Sequence, residues 1–164
     1  MSKLTHVDPS GGITMVDVSQ KPPAPRRAVA SAHVRLGPEA FERLRSATLK
    51  KGDALTTAQI AGILAAKRTS ELIPLCHGLT PEFVDVRFQL LPPDAVRVEA
   101  EARVIGRTGV ELEALTAASL AALTLYDMCK AVSKDIVIGP VQLEAKTGGA
   151  SGDWQRAAPV TPAG

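Results

Sequence analysis

The sequence predicts an α+β fold in which helices cover one face of a mainly antiparallel sheet. Three observations carry that reading. Apolar and polar residues alternate from Ala28 to Leu36 and again in two runs between Val84 and Val104, the period of half-buried strands. Two longer stretches, Leu55–Glu71 and Glu111–Val132, read as helices. Finally, 164 residues suit one domain, since domains usually run about 100–150 residues.

The elements follow in order. Residues 1–27 form an irregular arm with prolines at 9, 22, 23 and 25, and Ile13–Val18 is its one short strand candidate. In the first strand Ala28, Ala30, Ala32, Val34 and Leu36 share a face opposite Val29, Ser31, His33 and Arg35. Gly37-Pro38 then opens a helix, with proline at the first helical position where its missing N–H costs nothing. Asp53 is a plausible N-cap for the helix Leu55–Glu71, which Pro74 must end.

Val84, Val86, Phe88 and Leu90 alternate with polar residues, as do Val96, Val98, Ala100, Ala102 and Val104, with Leu91-Pro92-Pro93-Asp94 as the hairpin turn between them. The helix Glu111–Val132 is apolar around most of its circumference, which implies burial on more than one side. Ile136–Ile138 and Val141–Ala145 give a last strand kinked at Gly139-Pro140. The order β-α-α-β-β-α-β is the ferredoxin-like split β-α-β-β-α-β with an extra helix in the first crossover. Residues 28–154 are its single domain, and residues 155–164 a flexible tail.

Composition narrows the function. Nineteen basic against seventeen acidic residues leave a net charge of +2, too balanced for a non-specific polyanion binder. Phe83 and Phe88 are the only aromatics on the paired strands, a poor platform for stacking bases, so no nucleic-acid partner is expected. The longest uncharged stretch, Ala114–Tyr126, falls short of the roughly 20 residues of a membrane span. No secretory signal is read in residues 1–30, and two cysteines without a CxxC pair fit a reducing, cytoplasmic setting. Five aromatics against 25 alanines make a core of small side chains, which gains from burying more surface against copies of itself.

Four polar clusters stand apart from the solvated faces. Lys50-Lys51-Gly52-Asp53 reads as a solvated loop or as a phosphate site at a helix N-terminus. His77, at the end of Lys67–His77, reads as a structural or a reactive histidine. Adjacent Cys76 and His77 project differently, and Cys129, His6 and His33 lack zinc spacing, so no metal site is expected. On the long helix Glu113, Thr116, Thr124, Asp127 and Lys130 fall within about 120° of arc. Asp127 and Lys130 form an i,i+3 pair there, expected to be partly buried and suited to proton transfer. Lys146–Asp153 reads as a linker or as a backbone cradle for an anion, the linker being favoured on these residues alone. Together the clusters suit acid–base chemistry on a phosphorylated polar small molecule. A non-catalytic binding protein for such a molecule, or an oligomer with a merely interfacial polar stripe, would carry similar residues.

The motifs Met15-Val-Asp-Val18, Lys51-Gly-Asp53, Ile60-Ala-Gly-Ile63, Ala66-Lys-Arg-Thr69 and Leu72-Ile-Pro-Leu-Cys-His77 resemble the molybdenum cofactor biosynthesis protein C family, the cyclic pyranopterin monophosphate synthases. Thr108–Thr116, Tyr126-Asp-Met-Cys-Lys-Ala-Val132 and Lys146–Asp153 resemble it too, so the likeness covers about residues 3–154. Gly78 stands where the family usually has proline, and Leu112 where it has methionine.

The resemblance implies a pyrophosphate-releasing lyase acting on (8S)-3′,8-cyclo-7,8-dihydroguanosine 5′-triphosphate. It implies a homohexamer, a trimer of dimers, with active sites at subunit interfaces. No redox cofactor is expected, and magnesium would accompany the triphosphate. Lys51, Asp127 and Lys130 match the family's catalytic positions. Leu75, Cys76, His77, Glu111, Leu112, Glu113, Arg26 and Lys146 match its substrate-binding positions. Arg26, His77 and Lys146 are expected to hold the triphosphate, Glu111 and Glu113 to read the guanine-like edge, and the two lysines to move protons.

Overall fold

The computed structural model describes residues 11–149 and 151–157. Its elements are β1 (Ala24–Arg35), α1 (Pro38–Arg45), α2 (Ala54–Lys67), α3 (Thr69–Leu72), β2 (Phe83–Leu91), β3 (Ala95–Gly106), α4 (Glu111–Cys129), β4 (Val137–Thr147) and β5 (Trp154–Gln155). The sheet runs β2-β3-β1-β4-β5 with every neighbour antiparallel, the ferredoxin-like order extended by one short edge strand. Ala28, Ala30, Ala32 and Val34 of β1 and Val96, Val98, Ala100 and Ala102 of β3 are fully buried, because α4 lies over that face.

Small side chains set the spacing of the helical layer. Ala114, Ala117, Ala118, Ala121 and Ala122 of α4 have no exposed surface. A Cβ on Gly62 of α2 would sit 2.9 Å from the Ala117 carbonyl oxygen and 3.0 Å from the Val86 side chain. The two helices can be this close only because Gly62 has no side chain. By length and composition α4 could cross a membrane, but here it is the core helix, packed against β1, β3, β4 and α2.

Several boundaries differ from the expected ones for local physical reasons. Ala24–Arg27 belong to β1, not to the irregular arm, because they pair with Val104–Gly106 and Arg103 of β3. Pro25 fits there because β4 pairing begins only at Arg27, so its missing N–H faces a local edge. Of the Ile13–Val18 candidate, only Ile13 forms a bridge.

The single helix expected over Leu55–Glu71 breaks at Arg68, whose φ of −113° leaves the helical range. Thr69 then turns its hydroxyl back onto the Ala65 and Ala66 carbonyls, at 3.3 and 3.0 Å. The long helix ends at Cys129, with Lys130 as its C-cap. The kink at Gly139-Pro140 is a slip in register, between Ala32↔Val141 and Val34↔Ile138. Gln155, assigned to the tail, pairs with Ala145 in β5, and the Arg156 N–H donates to the Glu144 carbonyl at 2.8 Å. The remainder of the expected tail, from residue 158 on, lies outside the described residues.

The other face of the sheet carries an ion-pair lattice. Glu101, 3% exposed, accepts from Arg27 at 2.8 and 2.9 Å and from Arg103 at 2.6 Å. Those guanidinium groups hold its carboxyl down at about 2. Arg97 and Arg156 flank Glu144 in the same way, at 3.1 and 3.8 Å.

Candidate active site

Two clusters of functional side chains lie at opposite ends of α4. At its C-terminal end Asp127 bridges two lysines. Lys130 Nζ meets Asp127 Oδ1 at 2.7 Å, and Lys51 Nζ meets Oδ2 at 2.7 Å while donating also to the Asp127 carbonyl at 2.9 Å. Lys51 reaches it because Gly52 (φ +92°) turns the chain and Asp53 caps α2, its carboxylate accepting from Thr56 N at 3.0 Å. A phosphate at that helix N-terminus, one expected reading of the loop, would compete with the cap that is already in place.

The Asp127–Lys130 pair is more open than expected. About half of each side chain remains in solvent, 51% and 49%. Hydrogen bonds from Lys130 and then Lys51 hold the Asp127 carboxyl down at about 2. The same hydrogen bond raises Lys130 above its ordinary value. At neutral pH the pair is therefore a carboxylate and an ammonium.

The N-terminal end of α4 is drier. Glu113 is 2% exposed, and burial, then the charge of Glu111, pushes its carboxyl up to about 7. It lines a cavity of about 200 Å³ together with Cys76, His77, Leu112, Val16 and Lys21. His77 Nε2 lies 2.6 Å from the Val16 carbonyl. A carbonyl only accepts, so Nε2 carries the proton and Nδ1 is the nitrogen left for a ligand. Burial, followed by Glu113, raises the Cys76 thiol, and burial alone lifts Cys129 to about 11. Neither is a ready nucleophile.

Lys146 joins this end by donating to Glu111 Oε1 at 3.0 Å. Gly109 makes room for that carboxylate, since a Cβ there would fall 1.8 Å from Glu111 Oε2. Strand alternation separates the two adjacent arginines: Arg27 faces the Glu101 lattice, while Arg26 shares the helix-covered side with Ala28. Arg26 Nε donates to the Gly106 carbonyl at 3.2 Å, and its NH1 donates to the Gly148 carbonyl. Of the expected substrate-binding residues, Leu75, Arg26, Glu111 and Lys146 do not line this cavity. Val16, Val18 and Lys21 line the cavity although only the first two sat in a motif; for Lys21 no periodic or spacing signal existed.

The fold and these clusters define a class: a ferredoxin-like α+β protein with ionisable side chains gathered at both ends of its core helix. Residues 15–149 match the MoaC family, and the chain belongs to that family. It is 57% identical to a cyclic pyranopterin monophosphate synthase of Salinibacter ruber over 94% of this chain and 91% of that protein. A cyclic pyranopterin monophosphate synthase of Roseiflexus is 53% identical, over 94% of this chain and 98% of that one. Human molybdenum cofactor biosynthesis protein 1 is 56% identical over 94% of this chain, which spans only 24% of the human protein. The chain is thus related throughout to enzymes of molybdenum cofactor biosynthesis.

Proposed function

We propose that this protein is a cyclic pyranopterin monophosphate synthase, a lyase of the cytoplasm. It would convert (8S)-3′,8-cyclo-7,8-dihydroguanosine 5′-triphosphate to cyclic pyranopterin monophosphate and pyrophosphate. The observation that carries the reading is the Lys51–Asp127–Lys130 triad, one carboxylate bridging two ammonium groups at 2.7 Å each. Asp127 orients both lysines and keeps Lys130 charged, ready to protonate a nitrogen or oxygen of the rearranging ring. Lys51, on the other carboxylate oxygen, is placed to exchange the second proton.

At the other end Arg26 and Lys146 would hold the triphosphate, Arg26 through its fork of donors, and His77 would join them when its Nδ1 also carries a proton. Glu111 would accept from the N–H edge of the guanine-like ring. Glu113, with a proton affinity near neutrality, can accept there or donate. Among the described residues no three His, Cys, Asp or Glu side chains converge on a metal position. Magnesium would arrive with the triphosphate.

The two clusters lie far apart within one protomer. Glu113 and Asp127 are fourteen residues apart on α4, about 21 Å at 1.5 Å per residue. The cavity of about 200 Å³ is also below the roughly 300–1,000 Å³ of ordinary ligand sites. A second copy supplying its triad to this cavity would meet both needs. Leu112, Leu123, Ile60 and Leu64, all 38% exposed or more, are apolar surface for such contacts. We therefore infer a homohexamer, a trimer of dimers, with sites shared between subunits and no role for nucleic acid or a membrane.

Incubating the protein with the cyclised triphosphate tests the reading. The pterin and one equivalent of pyrophosphate should appear. Survival of the intermediate, bound but intact, would make the protein a binder instead.

A further inference from the structure

The described residues of the Gly-rich stretch after β4 form a clip between β4 and β5 rather than a free linker. Gly148 has φ +83°, and a Cβ there would lie 2.0 Å from the Pro25 carbonyl oxygen. Its carbonyl accepts from Arg26 NH1, and its N–H donates to Asp153 Oδ1 at 3.1 Å. The next residue, Trp154, pairs with Lys146 in the sheet. Beyond it Arg156 stacks over the Trp154 ring at 5.6 Å and donates through Nε to the Leu143 carbonyl at 2.8 Å. Two cationic side chains of the cavity end, Arg26 and Lys146, are therefore both tied to this one turn.

We propose that Asp153 is a positioning residue for the anion-binding corner. Through Gly148 it fixes the carbonyl that orients the Arg26 guanidinium, and by closing the turn it sets the Lys146–Trp154 pairing that aims Lys146 at Glu111. Asp153 touches no substrate in this scheme. The inference rests on the proposed function only in taking Arg26 and Lys146 as phosphate-holding groups. The chemistry recognised is a polyphosphate, for which a guanidinium held in place loses less freedom on binding than a free one.

Asp153 is exposed, so its replacement leaves the core intact, and Trp154 is the only tryptophan in the chain, an internal reporter of the clip. The test compares wild type, Asp153→Ala, Asp153→Asn and Arg26→Ala. Inorganic tripolyphosphate binding, acrylamide quenching of Trp154, thermal unfolding, and KM and kcat on the cyclised triphosphate are measured. Asp153→Ala should bind tripolyphosphate roughly 3- to 10-fold more weakly, the scale of one hydrogen bond. KM should rise by a similar factor with kcat nearly unchanged, and Trp154 should quench more readily. Asp153→Asn keeps an acceptor oxygen and should behave as wild type.

The inference is overturned if Asp153→Ala binds as wild type does, if Asp153→Asn is impaired as badly, or if kcat and melting temperature fall together with KM unmoved. Arg26→Ala binding as well as wild type would also overturn it. Turnover by wild type is scored separately, so the clip can fail while the proposed function stands.

Discussion

The two ends of α4 treat carboxylates in opposite ways. At the C-terminal end Asp127 is half in solvent, yet two ammonium groups keep it ionised down to about 2. At the N-terminal end Glu113 is nearly sealed, and burial lifts its proton affinity to about 7. One helix thus presents a fixed charge pair at one end and a near-neutral titrating acid at the other. Partner charges decide the first case and desolvation the second. In the proposed reaction these are separate duties: the fixed pair supplies protons to the ring, and the sealed acid reads it.

The largest expected effect tests whether the ends act together across subunits. Asp127→Asn should lower turnover by about 10²–10⁴-fold, the range of lost acid–base catalysis, while the protein stays folded with the oligomer size of wild type. Lys146→Ala at the other end should also be severely impaired. Co-expression of the two variants should restore activity well above their sum, because hybrid assemblies contain sites with an intact triad from one subunit and an intact cavity from the next. Activity that never exceeds the sum would place both clusters on the same protomer's substrate and overturn the shared site.

A smaller effect follows from the contrast in proton affinity. Glu113 has a folded value of about 7 against an ordinary 4.5, so between those values the folded protein holds more protons than the unfolded chain. Stability should then fall as pH rises through that window. Asp127 has the opposite sign: its contribution is complete above its ordinary 3.8 and is lost only as pH falls through about 2. Wild type should melt at progressively lower temperature from about pH 5 to about pH 8. Glu113→Gln should flatten that slope, and Asp127→Asn should leave it in place. Equal slopes in wild type and Glu113→Gln would show that Glu113 does not titrate there.

Much of this contrast was legible in the residues. Alternation at Ala28–Val34 and Val96–Ala102 placed the core face of the sheet, because burial on one side of a strand enforces period two. Asp127–Lys130 was visible as an i,i+3 pair because both lie on one helix. Lys51, 76 positions before Asp127, joins them only through tertiary folding, and no local period encodes that approach. The break at Arg68 was hidden because Ala66-Lys67-Arg68 are all good helix formers. A two-residue strand such as β5 has no periodicity to detect, and the clip looked like a linker for that reason. Glu113 stood out by position but not by burial, because the cavity wall it shares with Val16 and Leu79 is assembled from distant parts of the chain.

The smallest expected effect concerns what holds Lys51 at the exposed end. Its backbone sits between Leu49, buried under the helices, and the Asp53 cap of α2. Asp53 accepts from both the backbone N–H and the hydroxyl of Thr56, at 3.0 and 2.5 Å. Those bonds hold its carboxyl below the ordinary carboxylate range. Asp53→Ala should lower the urea midpoint, as loss of a helix N-cap usually does, whereas Asp53→Asn should leave it almost unchanged because asparagine caps equally well. Turnover should drop only modestly in the alanine variant, since Asp127 still draws Lys51 in from the other side. If Asp53→Ala were instead as inactive as Asp127→Asn, the cap rather than the carboxylate would be what aims Lys51. The exposed end would then depend on backbone placement as the buried end depends on Gly109 and Gly148.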